Sequence, residues 1–145
     1  MPEELNHTIV PAANKWASAK FLAAILGLEA GPEWSHFVPI RLANGVTLDF
    51  AEAASFRPQH YAFLVGEAEF DAALARLENA GTPFYADFNR AGRGEINHLY
   101  GGRGVYFDDP NGHLFELITR PYGSTPERWA TPGRPALSGR SGGAG

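Results

Sequence analysis

The 145-residue chain contains no cysteine. That excludes disulfides, thiolate nucleophiles and thiolate-ligated zinc, and leaves histidine, aspartate and glutamate as the strong metal ligands. It also lacks an excess of either charge, since 12 basic residues against 16 acidic ones give a formal net charge of −4. No basic run marks a nucleic-acid or anionic-membrane footprint, so the expected partner is a small molecule, with no nucleic acid and no membrane. Long apolar runs are missing too: the stretch from Phe21 to Leu28 is far too short to cross a bilayer. The opening Met-Pro-Glu-Glu carries neither the basic nor the apolar segment of an export signal, and a cytoplasmic location is the expectation. What remains is ordinary globular material, 44% apolar and 19% charged. A chain of this length holds one domain, or two small modules sharing one core.

A repeat is present. Leu5-Asn6-His7-Thr8-Ile9-Val10 and Pro58-Gln59-His60-Tyr61-Ala62-Phe63 are both strand-like with histidine in third place, and each precedes a helical pattern. The first helix is predicted from about Asn14, an N-cap, to Gly27, with Ala17, Phe21, Ala24 and Ile25 on one stripe. The second is predicted from about Glu67 to Gly81, with Phe70, Leu74 and Leu77 in register. His36 is expected to open a strand of the first half. Each half closes on a strand introduced by Asn-Gly, a dipeptide that supplies two positive φ angles to a tight hairpin: Asn44-Gly45 before Asp49, and Asn111-Gly112 before Glu116. The fold class read from this is α+β, with tandem βαβββ modules forming an open mixed β-barrel around a cavity. The first module is residues 1–51, the linker 52–58, and the second module 59–122 with a lid loop at 89–104. Residues 123–145 form a Pro/Gly-rich tail whose end is expected to be disordered.

Alternation along the strands separates two faces. Val10, Leu48, Phe50, Tyr61, Phe63, Val65, Phe115 and Leu117 share the parity expected under the helices. The opposite parity carries His7, Asp49, His60 and Glu116 among smaller apolar residues. A carboxylate there needs a partner, and no lysine or arginine stands at matching parity, so a divalent cation is the simplest solution. A lone strand histidine is ordinarily structural; it is the repetition that gives these weight. His7, His60 and Glu116 are the expected ligands, of a type suited to iron, manganese, nickel, cobalt or zinc. Asp49, one methylene shorter than glutamate, is a fourth ligand or holds a bound water. His113 lies at the other parity and is expected to be structural.

These segments resemble the vicinal oxygen chelate superfamily, which includes glyoxalase I, extradiol dioxygenases, fosfomycin-resistance thiol transferases and bleomycin-binding resistance proteins. The strongest pieces are residues 5–10, 21–28, 59–63 and Val-Tyr-Phe-Asp-Asp-Pro-Asn-Gly-His-Leu-Phe-Glu-Leu at 105–117. The resemblance implies modules arranged around a metal held by His7, His60 and Glu116, in a homodimer, with the halves paired within one chain or across a swapped dimer. Likeness to the extradiol dioxygenases adds Tyr106, ten residues before Glu116, and His98 as catalytic candidates. Their further acid-base histidine has no counterpart between Asp49 and Gln59. Likeness to glyoxalase I puts Asp49 where that enzyme has glutamate. For an anionic substrate of the fosfomycin kind, Arg93 and Arg103 are the candidates. The expected function is a divalent-metal-dependent enzyme binding vicinal oxygens of a small substrate, dioxygenase ahead of lyase or isomerase. The alternatives are a fosfomycin-type thiol transferase, or a metal-free antibiotic-binding protein stacking its ligand on Trp34, Phe84 and Tyr100.

Overall fold

A computed structural model describes residues 2–125. Strand β1 (His7–Ala12) is followed by helix α1 (Lys15–Leu26), strands β2 (Val38–Arg41) and β3 (Thr47–Glu52), then β4 (His60–Leu64), helix α2 (Glu67–Ala80), β5 (Gly104–Asp108) and β6 (Leu114–Ile118). The two halves build the same mixed sheet, ordered β1-β3-β2 and β4-β6-β5, with the first pair of each parallel and the second antiparallel. The extra strand expected after each helix is reduced to isolated bridges, Ala30 with Ile40 and Tyr85 with Tyr106. His36 opens no strand; it sits exposed in the turn before β2.

Helix α1 starts where Asn14 accepts the Ala17 N–H at 3.0 Å, and ends where Gly27 adopts φ 72°. Its buried face is Ser18, Ala19, Leu22, Ala23 and Ile25. Ala17 and Ala24 of the expected stripe are exposed, because the helix is apolar nearly all round and its sequence alone left the rotation open. Helix α2 has no side-chain cap but carries Glu67 and Glu69 in its first turn, where the helix dipole favours them. Phe70 and Leu77 are fully buried as expected.

The predicted helix-side parity fills the core. Val10, Phe50, Phe115 and Leu117 are fully buried, in one cluster drawn from both halves. The two Asn-Gly turns use one positive φ each, not two: Gly45 at 91° and Gly112 at 87°. In each the glycine N–H returns to the residue three before it, Leu42 and Asp109, the pattern of a turn closed by a glycine bulge.

Asn111 spends its side chain elsewhere. It accepts the Ala13 N–H at 2.9 Å and donates to Ser18 Oγ at 2.7 Å, both in the first half. His113, fully buried, accepts the Gln59 N–H at Nδ1 (2.9 Å) and donates from Nε2 to Pro11 O (2.8 Å). Asp109 orders this turn by accepting from the Asn111 and His113 N–H groups. The segment Asp109–His113 therefore latches the halves together and performs no chemistry itself. The halves meet through this latch and their helices, whereas among the described residues no strand of one sheet bonds to a strand of the other. Sheet faces away from the helices stay open, with Ile9 52% and Leu64 60% exposed.

The segment expected to be a lid is anchored at Asn97, while most of residues 89–96 are exposed. Asn97 pairs with Gly104 in both directions at 2.9 Å, and its buried side chain donates to Ala86 O. A short 3-10 turn spans Leu99–Gly101. The disorder expected at the end of the tail falls outside the described residues.

Candidate metal centre

Parallel pairing sets His60 beside Leu114 and Ala62 beside Glu116, so the histidine at the start of β4 and the acid in the middle of β6 share a face. His60 Nδ1 lies 2.9 Å from the Leu114 carbonyl, which can only accept. Nδ1 therefore carries a proton. Nε2 is then directed at Glu116 Oε1, 3.0 Å away, and that carboxylate is only 1% exposed. A neutral imidazole in this tautomer would face the carboxylate lone pair to lone pair. The contact is sound only if a proton or another cation lies between the two atoms. Backbone anchoring of the distal ring nitrogen is the arrangement that metal-binding histidines use, and the donor set fits a divalent cation.

Glu116 Oε2 accepts the Tyr122 hydroxyl at 2.6 Å, and Tyr106 Oη stands 3.2 Å from Tyr122 Oη. Burial pushes both phenols well above their ordinary range, and the bond to Glu116 raises Tyr122 further, so both keep their protons at neutral pH. The Tyr106 ring stacks on His60 with centroids 6.2 Å apart, and Phe88, 53% exposed, stands edge-on to His60 at 5.5 Å.

The other expected ligands lie on the first sheet. His7 opens β1 exposed to solvent, and its Nδ1 is 2.7 Å from Asn6 Oδ1, which leaves Nε2 free in the same sense as in His60. Asp49 on β3 is 5% exposed, and its Oδ1 has no hydrogen-bond partner among the described residues. Within one chain the structure joins His60 to Glu116 and Tyr106, and brings neither His7 nor Asp49 to them: among the described residues no three His, Asp or Glu side chains converge. The latch and the helix–helix contact join the modules elsewhere, and His7 and Asp49 are not brought to His60 and Glu116 inside a chain. His98 is exposed and its Nδ1 turns to Gly102 O at 3.1 Å, within its own loop.

Tyr122 and Phe88 escaped the sequence reading. Tyr122 lies four residues past the end of β6, where alternation no longer tells which way a side chain points, and Phe88 lies in a loop without periodicity. The arginines also differ in part from expectation. Of the two candidates, Arg103 donates to Glu67 at 2.9 Å and Asp71 at 2.7 Å and is already neutralised, whereas Arg93 is exposed with no ion pair among the described residues; Arg90 of the same loop donates to Asp108 at 3.0 Å. Of the three aromatic residues offered as a stacking surface, Phe84 and Tyr100 are buried and only Trp34 is open. Among the described residues no helix is long and apolar enough to cross a membrane.

Comparison with known proteins agrees with this architecture. The chain is 54% identical to the solved structure of "Oxidase ChaP-H2", with a TM-score of 0.83 and coverage of 86% of this chain and 98% of that one. It is 50% identical to "Oxidase ChaP-H1", with a TM-score of 0.82 and coverage of 85% and 100%. Among curated proteins it is 30% identical over 124 residues to "Glutathione transferase FosA" of Serratia marcescens, covering 81% of each chain. The family profile described as Glyoxalase/Bleomycin resistance protein/Dioxygenase superfamily matches residues 4–117. With its duplicated sheets, and with a histidine and an acid opposed on the open face of the second, the chain belongs to that superfamily.

Proposed function

We propose that this protein is a divalent-metal-dependent oxidase acting on a small molecule with adjacent oxygens. We propose also that two copies build each metal centre, His60 and Glu116 of one chain meeting His7 of the partner subunit. The observation that carries the reading is the opposition of His60 Nε2 to a buried Glu116 oxygen while Nδ1 is tied to a carbonyl. Exposed Ile9 and Leu64 on the ligand-bearing faces support the dimer, because apolar residues at such positions call for a cover. When bound, the metal supplies Lewis acidity toward the substrate oxygens and, if it is iron or manganese, electron transfer. The chain's own part is to orient the ligands and to hold protons at Tyr106 and Tyr122 beside them. Asp49, with an oxygen left unbonded, is proposed to face the same centre from the partner's side, as a ligand or through a water.

Oxidase is favoured over thiol transfer to an anionic antibiotic because Arg103, one of the two candidate anion binders, is engaged by acids, and because identity to two proteins named oxidases reaches half or more of the aligned positions. The test uses the full chain purified without chelators. Metal analysis is expected to find about one ion per chain, lost in His60→Ala, with oxygen uptake on catechol-type substrates. Unchanged metal in that variant overturns the metal centre. Turnover of glutathione with fosfomycin, and no oxygen uptake, overturns the oxidase reading.

A further inference from the structure

We infer that Tyr122 is a positioning residue for the metal centre, its hydroxyl occupying one oxygen of Glu116 and so leaving the other to the cation beside His60. The inference rests on the metal reading of His60 and Glu116. The direction of the hydrogen bonds follows from chemistry alone. A carboxylate only accepts, so the single Tyr122 proton goes to Glu116 Oε2, over 2.6 Å. Tyr122 Oη is then left as an acceptor, and Tyr106 must be the donor in the 3.2 Å contact between the phenols. Two protons thus point along one chain, Tyr106 to Tyr122 to Glu116, each bond polarising the next.

The placement of Tyr122 argues against a packing role. It is 54% exposed, whereas Glu116 is 1% exposed, so the hydroxyl reaches a buried acid from the solvent side. The segment that carries it turns back after β6: Gly123 takes φ 79°, and the Ser124 N–H returns to Pro121 O at 3.1 Å. The Tyr100 ring backs the Tyr122 ring at 5.1 Å, and Tyr100 itself holds φ 56°, a left-handed conformation a non-glycine residue seldom adopts. A turn, a stacked ring and a strained residue converge to aim one hydroxyl at one carboxylate oxygen. Without it Glu116 Oε2 would lose its donor, and only the His60 contact at Oε1 would fix the carboxylate's rotation.

The experiment titrates cobalt(II) into the apo full-length protein, reading affinity by chelator competition and ligand geometry by the visible absorption of the bound ion. Loss of an outer hydrogen bond to a ligand ordinarily weakens metal binding about 10–100-fold. Tyr122→Phe is expected to show that loss together with a changed cobalt spectrum. Tyr106→Phe, which removes only the outer link, is expected to show a smaller change, and apo thermal melting is expected to stay cooperative in both, with the lower midpoint in Tyr122→Phe. Wild-type affinity and spectrum in Tyr122→Phe, while His60→Ala loses the ion, overturns the inference and leaves the metal centre standing. No cobalt uptake by the wild type overturns both. Should Tyr122→Phe give little folded protein, Tyr100→Asn, which tolerates the positive φ and removes the backing ring, is expected to weaken cobalt binding in the same direction; wild-type binding in Tyr100→Asn overturns the inference.

Discussion

If each metal centre draws His7 from one chain and His60 with Glu116 from another, two dead variants must restore each other. His7→Ala and His60→Ala homodimers each lack a ligand in both of their sites. In a mixed dimer one site receives His7 from the His60→Ala chain and His60 from the His7→Ala chain, and is intact, while the second site carries both lesions. Random pairing at equal expression makes about half of the dimers mixed, each with one good site of two, so about a quarter of wild-type metal content and activity is expected. Isolating the mixed dimer through two different affinity tags raises this to about half. The structural basis is the inter-module latch, with which no three His, Asp or Glu side chains converge among the described residues of one chain. Co-expression followed by tandem purification and metal analysis is the assay. No restoration in an isolated mixed dimer, with the wild-type dimer fully loaded, would refute the shared centre.

Three further outcomes follow from contacts already described. His113→Ala removes a ring bonded at both nitrogens and leaves the Gln59 N–H and Pro11 carbonyl unsatisfied beside a cavity, an expected loss of about 2–5 kcal/mol by denaturant unfolding; a loss below about 1 kcal/mol would mean the latch is not structural. Arg103→Ala is expected to leave substrate affinity unchanged and to cost no more than about 1 kcal/mol of stability, since its ion pairs with Glu67 and Asp71 are open to solvent; a large rise in KM would reinstate it as an anion site. Tyr61, Tyr106 and Tyr122 are all raised in the fold, chiefly by burial, so the folded state keeps phenol protons that the unfolded state has lost above its pKa near 10. Their contribution is complete below that pH and is lost as pH rises through the folded values; ultraviolet titration of the folded chain is expected to lag that of the unfolded one, and coincident curves would contradict the burial.

Much of the fold was legible because it is written in local signals. Asn14 and Gly27 bound the first helix, Gly81 ends the second, and period-2 alternation divided core from open face at Val10, Phe50, Phe115 and Leu117. The signals failed where geometry is not local. The expected stripe of α1 holds for Ile25 and Phe21 and fails at Ala17 and Ala24, because a helix apolar on nearly every side has no face of its own until something packs on it. The extra strands shrank to bridges because a sheet edge is set by its neighbours. Asn111 was read as a turn former, but its side chain serves a residue 98 positions away.

By itself, the sequence determined the duplication, the helix ends and the pairing of a histidine with an acid on one face of the second sheet, since each depends on spacing along a strand or helix of known repeat. Tertiary structure decided the rest: that His60 and Glu116 come to 3.0 Å while His7 stays apart, that Tyr122 closes on the carboxylate, and that Arg103 and Arg90 are spent on acids of α2 and β5. Those outcomes hinge on how two modules and their connecting turns pack in three dimensions, and strand parity carries no information about packing between modules.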